Sequence, residues 1–510
     1  MAYWLDTITA PIAPIWTLRR QRARVSSTIL HRHFEAAASG RRTSGWTRTS
    51  GDANAANAGA IANLRNIARD LVRNNAYAAS ALSTIVDHAV GWGIVAKPSK
   101  DATRAVRNQA SDRWKRWAET TACDADGRHD LAGLQKLVMG TVVESGECLI
   151  RRRIRRPEDG LPIPLQLQVL EPDYLDSTRD GMPATGGVRT IQGVIFDPIG
   201  RRIAYQLFRE HPGSAVPGAG YGQSDRIPAT DVLHVFKSNR PGQIRGTSWF
   251  APVALKLKDF DDYEDAALMK QKIAACLAVM TSDVNGDSPA LGATDATTPE
   301  QDFLEPGLIM NLPPGRNVTV VDPPAVTEHS DYSKTVLRAI ATGIGVTYED
   351  LCGDYSGMPF SAARMSRLRH WARVEDWRWR MLIPQFCDPV WAWAMQAAVI
   401  AGMQADTLPT AEWTCPPAPM IDPSAEGLAY ARNIRAGIMT LSEAIRERGY
   451  SPEELLNEYA DDNKRLDTLG IVLDSDARKM TQAGQLQGTP QATAPAPAVP
   501  SMNGNGAYAP

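Results

Sequence analysis

The sequence predicts an α+β fold that is mainly helical. Three observations carry this. Apolar residues recur at helical spacing over long stretches on both sides of the chain's middle. The middle itself, from about residue 146 to 236, breaks into short alternating runs separated by Gly/Pro turns. The composition, 43% hydrophobic and 22% charged over 510 residues, is that of a globular chain, with length for about three domains.

Residues 61–90 read as one helix, with Ile61, Leu64, Leu71, Leu82, Ile85 and Val86 in register and Gly91 and Gly93 as the stop. Arg65, Arg69 and Arg73 lie four apart on another face, which reads as solvated. A second helix spans about Ala105–Thr120 and carries Trp114 and Trp117; a third begins near Asp130. Strands follow at Cys148–Arg153, Leu165–Leu170, Gly193–Phe196, Ala204–Phe208 and Val232–Phe236. Ser214–Gln223, rich in Gly and Pro, reads as a surface loop.

Pro252–Ala275 predicts one long helix with proline in its first turn. Val253, Leu257, Phe260 and Ala267 share one narrow arc, and charges of both signs fill the remainder. Such a helix suits either a packed ring or a solvated surface. Residues 277–326 form a small insert that opens on a polar stretch, with strands expected at Leu308–Asn311 and Val318–Val321. A helix over Tyr332–Ile344, a loop over Gly353–Ser361 and a long helix to about Leu382 follow. That last helix holds six arginines and three tryptophans and reads as an amphipathic packing helix. Pro389–Met403 reads as a buried helix. Thr440–Glu443 and Ser451–Glu454 each fit a capping box, the second with proline at the first helical position.

Charge is placed unevenly beneath a formal total of −2. Residues 1–50 hold eight arginines against Asp6 and Glu35, a local balance of +6 that fits either a nucleic-acid or acidic partner or a solvated arm. Residues 481–510 hold no charge and five prolines, and are expected to be disordered. The stretch Met1–Trp16 is a poor signal peptide, and no apolar run reaches membrane-spanning length. Six cysteines lie far apart with no C-x-x-C pair, so reduced, mostly buried thiols are expected rather than a zinc site.

Motifs for chemistry are missing. There is no G-x-x-x-x-G-K-[ST], no H-E-x-x-H and no G-x-S-x-G. Gly218, Gly220 and Gly222 lack a strand-to-helix junction and read as a loop. Among the scattered histidines only His31 and His33 are close in sequence. Asp259, Asp261 and Asp262 diverge around one helix and do not make a nuclease metal site. No catalytic, metal or cofactor site is expected.

The order of segments and the words along them resemble the lambda-type family of tailed-phage portal proteins. The words include L-R-N-I-A-R-D-L-V-R-N-N at Leu64–Asn75, V-G-W-G-I at Val90–Ile94 and G-E-C-L-I at Gly146–Ile150. L-E-P-D at Leu170–Asp173, G-V-I-F-D at Gly193–Asp197 and H-V-F-K-S-N-R-P-G-Q-I-R-G at His234–Gly246 continue the series. The strongest block is I-A-T-G-I-G-V-T-Y-E-D-L at Ile340–Leu351, then D-Y-S at Asp354–Ser356, S-A-A-R at Ser361–Arg364 and I-D-P at Ile421–Pro423.

The resemblance implies a homo-oligomeric ring, usually of twelve copies, at one vertex of the virion capsid, with double-stranded DNA passing through it independently of sequence. It implies as partners the terminase large subunit during packaging, the head–tail connector afterwards, and the major capsid and scaffold proteins. No membrane and no cofactor is implied, and assembly would take place in the host bacterial cytoplasm. By order, residues 1–50 would be a basic arm, 51–250 an α+β wing, 251–276 and 327–350 two stem helices, and 277–326 the clip. Residues 351–361 would be the tunnel loop, 362–410 the wing spine helix and its successor, 411–480 crown-side helices, and 481–510 the tail.

The same resemblance assigns surfaces. Asp354, Tyr355, Ser356, Gly357, Met358, Pro359 and Phe360 would line the constriction. Lys256, Lys258, Lys270, Lys272, Asp259 and Asp262 would be the stem charges facing the channel. Glu305, Pro306, Pro313, Pro314, Gly315 and Arg316 would form the clip's partner surface. Mixed charge suits a conduit, because each phosphate firmly neutralised adds about 0.9 to the salt slope and makes DNA stick. Two readings from other classes are a capsid-associated nuclease or protease, and a non-portal DNA-binding ring adaptor. The first would need a convergent carboxylate or Ser/Lys site, which the sequence does not offer, and the second would lack the helix–insert–helix–loop–helix order over 252–382.

Overall fold

The computed structural model describes residues 50–181, 187–275, 278–283, 316–321 and 329–473, with a few isolated positions besides. Most of the arm, residues 284–315 of the insert and residues 480–510 lie outside the described residues. The chain divides into two compact units. The smaller comprises 1–59 and 240–243. In it Asp52 caps helix α1 (Ala53–Asn57) by accepting from the Ala55 amide, and Asn54 donates to the Gly242 carbonyl at 3.0 Å.

The larger unit opens with two helices, α2 (Ile61–Asn74) and α3 (Ala76–Ala89), where the periodicity predicts one. Asn75 makes the break. Its backbone is extended, with φ −108° and ψ 122°, and its side chain accepts from the Ala78 amide as the N-cap of α3. The apolar residues keep step across the break, so hydrophobic spacing alone does not reveal it. Strand β1 (Val95–Pro98), α4 (Arg104–Ala118) and α5 (Leu131–Ser145) follow. Asp130 caps α5 by accepting from the Gly133 amide.

Two small sheets make the β part. Strands β2 (Glu147–Ile154), β3 (Leu165–Leu170) and β8 (Val232–Phe236) form an antiparallel sheet in the order β3-β2-β8. Strands β4 (Arg189–Ile191), β5 (Val194–Phe196), β6 (Arg202–Phe208) and β7 (Ser224–Pro228) form a meander. The sequence reading missed strands β1, β4 and β7.

Helix α6 (Ala254–Ala275) starts two residues after Pro252, which therefore stands just outside its first turn. Strands β9 (Ala278–Asp283) and β10 (Arg316–Val321) pair antiparallel beyond it. Strand β10 contains the expected Val318–Val321, β9 occupies the start of the stretch read as polar, and Leu308–Asn311 lies outside the described residues. The chain returns in α7 (His329–Ile344) and a one-turn helix α8 (Tyr348–Cys352).

Next come α9 (Phe360–Trp377), a π-helical segment over Arg378–Cys387 and α10 (Asp388–Ile400), with no break near Leu382. Pro384 lacks the amide an α-turn needs, and the wider π-turns carry the rod through it. Strand β11 (Ala411–Thr414) pairs with β1, and α11 (Pro423–Arg435), α12 (Leu441–Glu447) and α13 (Pro452–Leu469) end the described fold. The capping box at Thr440–Glu443 is complete. That at Ser451 is half made: Ser451 accepts from the Glu454 amide, but the Glu454 carboxylate instead binds Lys115 at 2.6 Å.

One large core joins α2–α7, α9, the π segment and α10, with Ile85, Trp117, Met139, Phe250, Phe260 and Phe386 fully buried. A smaller one, around Leu149, Phe196, Tyr205 and Leu207, lies between the two sheets. Of the arginine stripe of α2, Arg73 is exposed as expected, but Arg65 and Arg69 are not solvated. Arg65 is buried 3.0 Å from Asp173, and Arg69 reaches Asp173 at 2.7 Å and Glu171 at 2.8 Å. Burial pushes the Asp173 carboxyl up, but the Arg69 hydrogen bond and the Arg65 charge overcome it, so it stays below the ordinary carboxylate range. Gly218 and Gly220 do lie in a loop, where both amides donate to the Glu210 carboxylate. Among the described residues no helix is long and apolar enough to cross a membrane.

Candidate functional site

Helix α6 has two unlike sides. Val253, just before it, and Leu257, Phe260 and Ala267 are buried, as their shared arc predicts. Lys256, Lys258, Asp259, Asp262, Lys270 and Lys272 are all exposed. Lys258 and Asp262 pair at 2.6 Å across one helical turn, while Asp261 turns away to accept from Asn75 at 2.7 Å. The three aspartates therefore do not converge. Leu255 is 80% exposed and Met269 58%, so large apolar groups stand among these charges.

Helix α7 packs against α6 closely enough to require glycine. A Cβ at Gly343 would lie 2.4 Å from a Val253 methyl, which gives the block I-A-T-G-I-G one physical meaning. Farther along, Tyr263 stacks on His329 with centroids 5.5 Å apart and meets Tyr332 at 4.5 Å. Leu337, Ile340, Ala341 and Ile344 bury the other end of α7.

The turn after α7 leads directly to an exposed loop. Thr347 caps α8 by accepting from the Asp350 amide, and Gly353 ends it in the left-handed conformation. Asp354 accepts from Tyr348 at 3.1 Å and from the Ser356 amide at 3.0 Å. The Ser356 hydrogen bonds hold its carboxyl below the ordinary range. Beyond this anchored start, Tyr355, Ser356, Gly357 and Pro359 are exposed and Met358 is half-buried. The loop ends a residue or two before the expected Ser361, because Phe360 is already the first residue of α9. In α9 His370, Val374 and Trp377 are buried while Arg364, Arg369 and the following Arg380 are exposed, as an amphipathic packing helix requires.

A buried ionic cluster lies in the body near the chain segment that leads into α6. Glu147, at the start of β2, receives Arg245 at 2.5 and 2.8 Å, the Gly246 amide at 2.9 Å and His234 Nε2 at 2.8 Å. Burial opposes the Glu147 charge; the Arg245 charge and the His234 hydrogen bond overrule it and drive the carboxyl far below its ordinary range. Gly146 precedes it with φ +92°, and a Cβ there would lie 2.4 Å from the Thr247 carbonyl carbon. Two distant sequence words, G-E-C-L-I and Q-I-R-G, are thus the two halves of one contact.

The comparisons bear on what this arrangement serves. The family described as "Phage portal protein, lambda family" matches residues 39–378. The chain belongs to the lambda family of phage portal proteins. The probable portal protein of Halomonas phage phiHAP-1 is 26% identical over 478 residues, covering 88% of this chain and 90% of the relative. Portal protein B of Escherichia phage lambda is 24% identical over 340 residues, covering 60% and 63% respectively. Among solved structures, a chain from the neck of an empty gene transfer agent particle is similar over 76% of this portal-family chain and 94% of its own length. It has 16% identity and a TM-score of 0.43.

Of the surfaces expected in this portal-family chain, the α6 charges and the loop are present as exposed groups. Glu305, Pro306, Pro313, Pro314 and Gly315 lie outside the described residues, and Arg316 opens β10. Sequence reading missed the Tyr263–His329–Tyr332 cluster, whose spacing of 66 residues between Tyr263 and His329 leaves no local signal. It also missed a histidine pair: His88 and His370 stand 2.9 Å apart, where only His31 and His33 are close in sequence.

Proposed function

We propose that this chain assembles head to tail into a closed ring of about twelve copies. The ring sits at one capsid vertex and passes double-stranded DNA through its centre. It docks the terminase during packaging and the head–tail connector afterwards, and releases the genome on ejection. The observation that carries this reading is the outer side of α6. It mixes both signs of charge with uncovered Leu255, Leu268 and Met269, so it suits a neighbouring copy on one flank and mobile phosphates on another. In this reading α6 and α7 are the stem, residues 277–326 the clip, and 353–359 the tunnel loop. The chain is a conduit and not an enzyme. Asp261 and Asp262, already bonded to Asn75 and Lys258, favour that over a nuclease.

Electron microscopy of the purified protein tests it. Rings with a central channel and a mass near a dozen 55.5 kDa subunits are expected. A stable monomer at high concentration with nuclease activity would sink the reading.

The loop gives a separate test. Replacing Tyr355–Met358 with Gly and Ser keeps the connection from α8 to α9 at its native length. Because these residues make few contacts, stability should stay within about 0.5 kcal/mol of wild type. Rings should still form, while the yield of DNA-filled heads falls. Loss of ring assembly would instead make the loop a subunit contact.

A further inference from the structure

Helix α3 presents Ser80, Thr84 and His88 at four-residue spacing, one above the other on one face. Ser80 donates to the Leu351 carbonyl at 2.8 Å and Thr84 to the Asp350 carbonyl at 3.4 Å, so α8 is fixed against this face. His88, next in the row, meets His370 of α9, with its Nδ1 2.9 Å from His370 Nε2. Nδ1 or Nε2 of each ring and a carboxylate oxygen of Asp350 all lie within 4.8 Å of one another. Three side chains that carry metal-ligand atoms thus converge from three different elements, which the consecutive aspartates of α6 do not.

We propose that His88, His370 and Asp350 bind a divalent transition-metal ion of the zinc class, with solvent completing the coordination. The geometry is close to what such an ion needs. Bonds of about 2.0–2.1 Å to each ligand place the ligand atoms about 3.3 Å apart at a tetrahedral centre, so the rings need to open by about 0.4 Å and the Asp350 oxygen, within 4.8 Å, to close in by up to about 1.5 Å. Two imidazoles and one carboxylate are the ligand set of intermediate softness that zinc, nickel and cobalt share. Asp87 and Asp350 offset most of the positive charge that Arg367, Arg378 and Arg373 bring to the two histidines. His370 is buried, while His88 and Asp350 are half-buried, which leaves an entry path and room for water. The second grouping of this kind, Glu171, Asp173 and His211, carries no such reading, because Arg65 and Arg69 already hold its carboxylates.

The proposal stands apart from the DNA conduit, and its test uses the full-length chain stripped with a chelator. Calorimetric titration with Zn2+ should show a site that His88→Gln removes and that Asp350→Asn weakens by about 100-fold. Asn at 350 keeps an oxygen for the Thr347 hydroxyl, so that variant folds even where an imidazole change does not. The double change His31→Ala, His33→Ala should retain the site, which separates it from binding by the arm. Co2+ should give the visible absorption of a nitrogen–oxygen site in the wild type and lose it in both site variants. Identical zinc titrations in wild type, His88→Gln and Asp350→Asn would overturn the proposal. So would no binding by the wild type, and the histidines would then share only a hydrogen bond.

Discussion

Arg245→Met is expected to lower folding stability by about 3–5 kcal/mol, because it leaves the Glu147 carboxylate buried without its cation. The residue lies between β8 and the start of α6, so the loss is to the body that carries every proposed surface. The second half of the pair makes the test specific. Adding Glu147→Gln to Arg245→Met should recover a large part of the deficit, since no unpaired charge is then left inside. Urea unfolding followed by tryptophan fluorescence measures both; equal deficits in single and double variants would assign the effect to packing instead.

The same cluster sets a pH dependence. The folded Glu147 carboxyl titrates well below its ordinary value of 4.5. Its contribution is therefore complete above about pH 4.5 and is lost as the pH falls from there toward the folded value. His234 is likewise held below its ordinary 6.5 by burial. Unfolded chains take up a proton below about pH 6.5 that the folded ring refuses, which weakens the fold further in the same direction. Wild-type stability should thus fall from pH 6.5 downward and more steeply below 4.5. In Arg245→Met the carboxyl loses the charge that held it down, so its deficit relative to wild type should shrink as acid neutralises it. A deficit independent of pH between 7 and 4 would contradict this account.

Arg378→Leu is the other large effect. This guanidinium is buried and donates to the His88 carbonyl at 2.7 Å, Ala89 at 2.8 Å and Pro416 at 2.9 Å, and to Glu375 at 2.8 Å. It lies 5.0 Å from the Trp371 ring centroid. His88 and Ala89 are the last residues of α3, whose terminal carbonyls have no partner inside the helix. Leucine keeps much of the bulk and removes every donor, at an expected cost of about 3 kcal/mol or more. Arg378→Lys should recover little, because one ammonium cannot serve four acceptors spread around a planar fork. Thermal unfolding reports the cost. Hydrogen exchange should place the first added opening at the end of α3; uniform loosening would argue against a capping role.

These residues also show what sequence reading reaches. The arc of Val253, Leu257, Phe260 and Ala267 was legible because burial on a helix leaves a period. So were the helix start near Asp130 and the cap at Thr440, whose signals act within three residues. Arg65 and Arg69 were assigned to solvent because a charged stripe on a helix looks the same whether or not acids wait 100 residues away. Arg378 stood among five other arginines of the same stretch, and only its place at the end of α3 sets it apart. The long helix was expected to end near Leu382, and the π-helical turns that carry it past Pro384 leave no pattern in the sequence. Of the candidate site, the exposed charges and the loop were readable from order along the chain. The convergence of His88, Asp350 and His370 was not, because none of their spacings is local.

Helix α6, at 22 residues, reaches about 33 Å at 1.5 Å per residue, yet the last buried one among its described side chains is Ala267. The chain leaves the body along α6 and returns to it along α7. The cost of lengthening a connection between fixed ends grows only logarithmically. Residues 276–328 can therefore gain, lose or exchange sequence without asking the core to repack. A change of length between the two helices is thus among those the fold tolerates most cheaply, so the segment they carry and the core that holds them can diverge at separate rates.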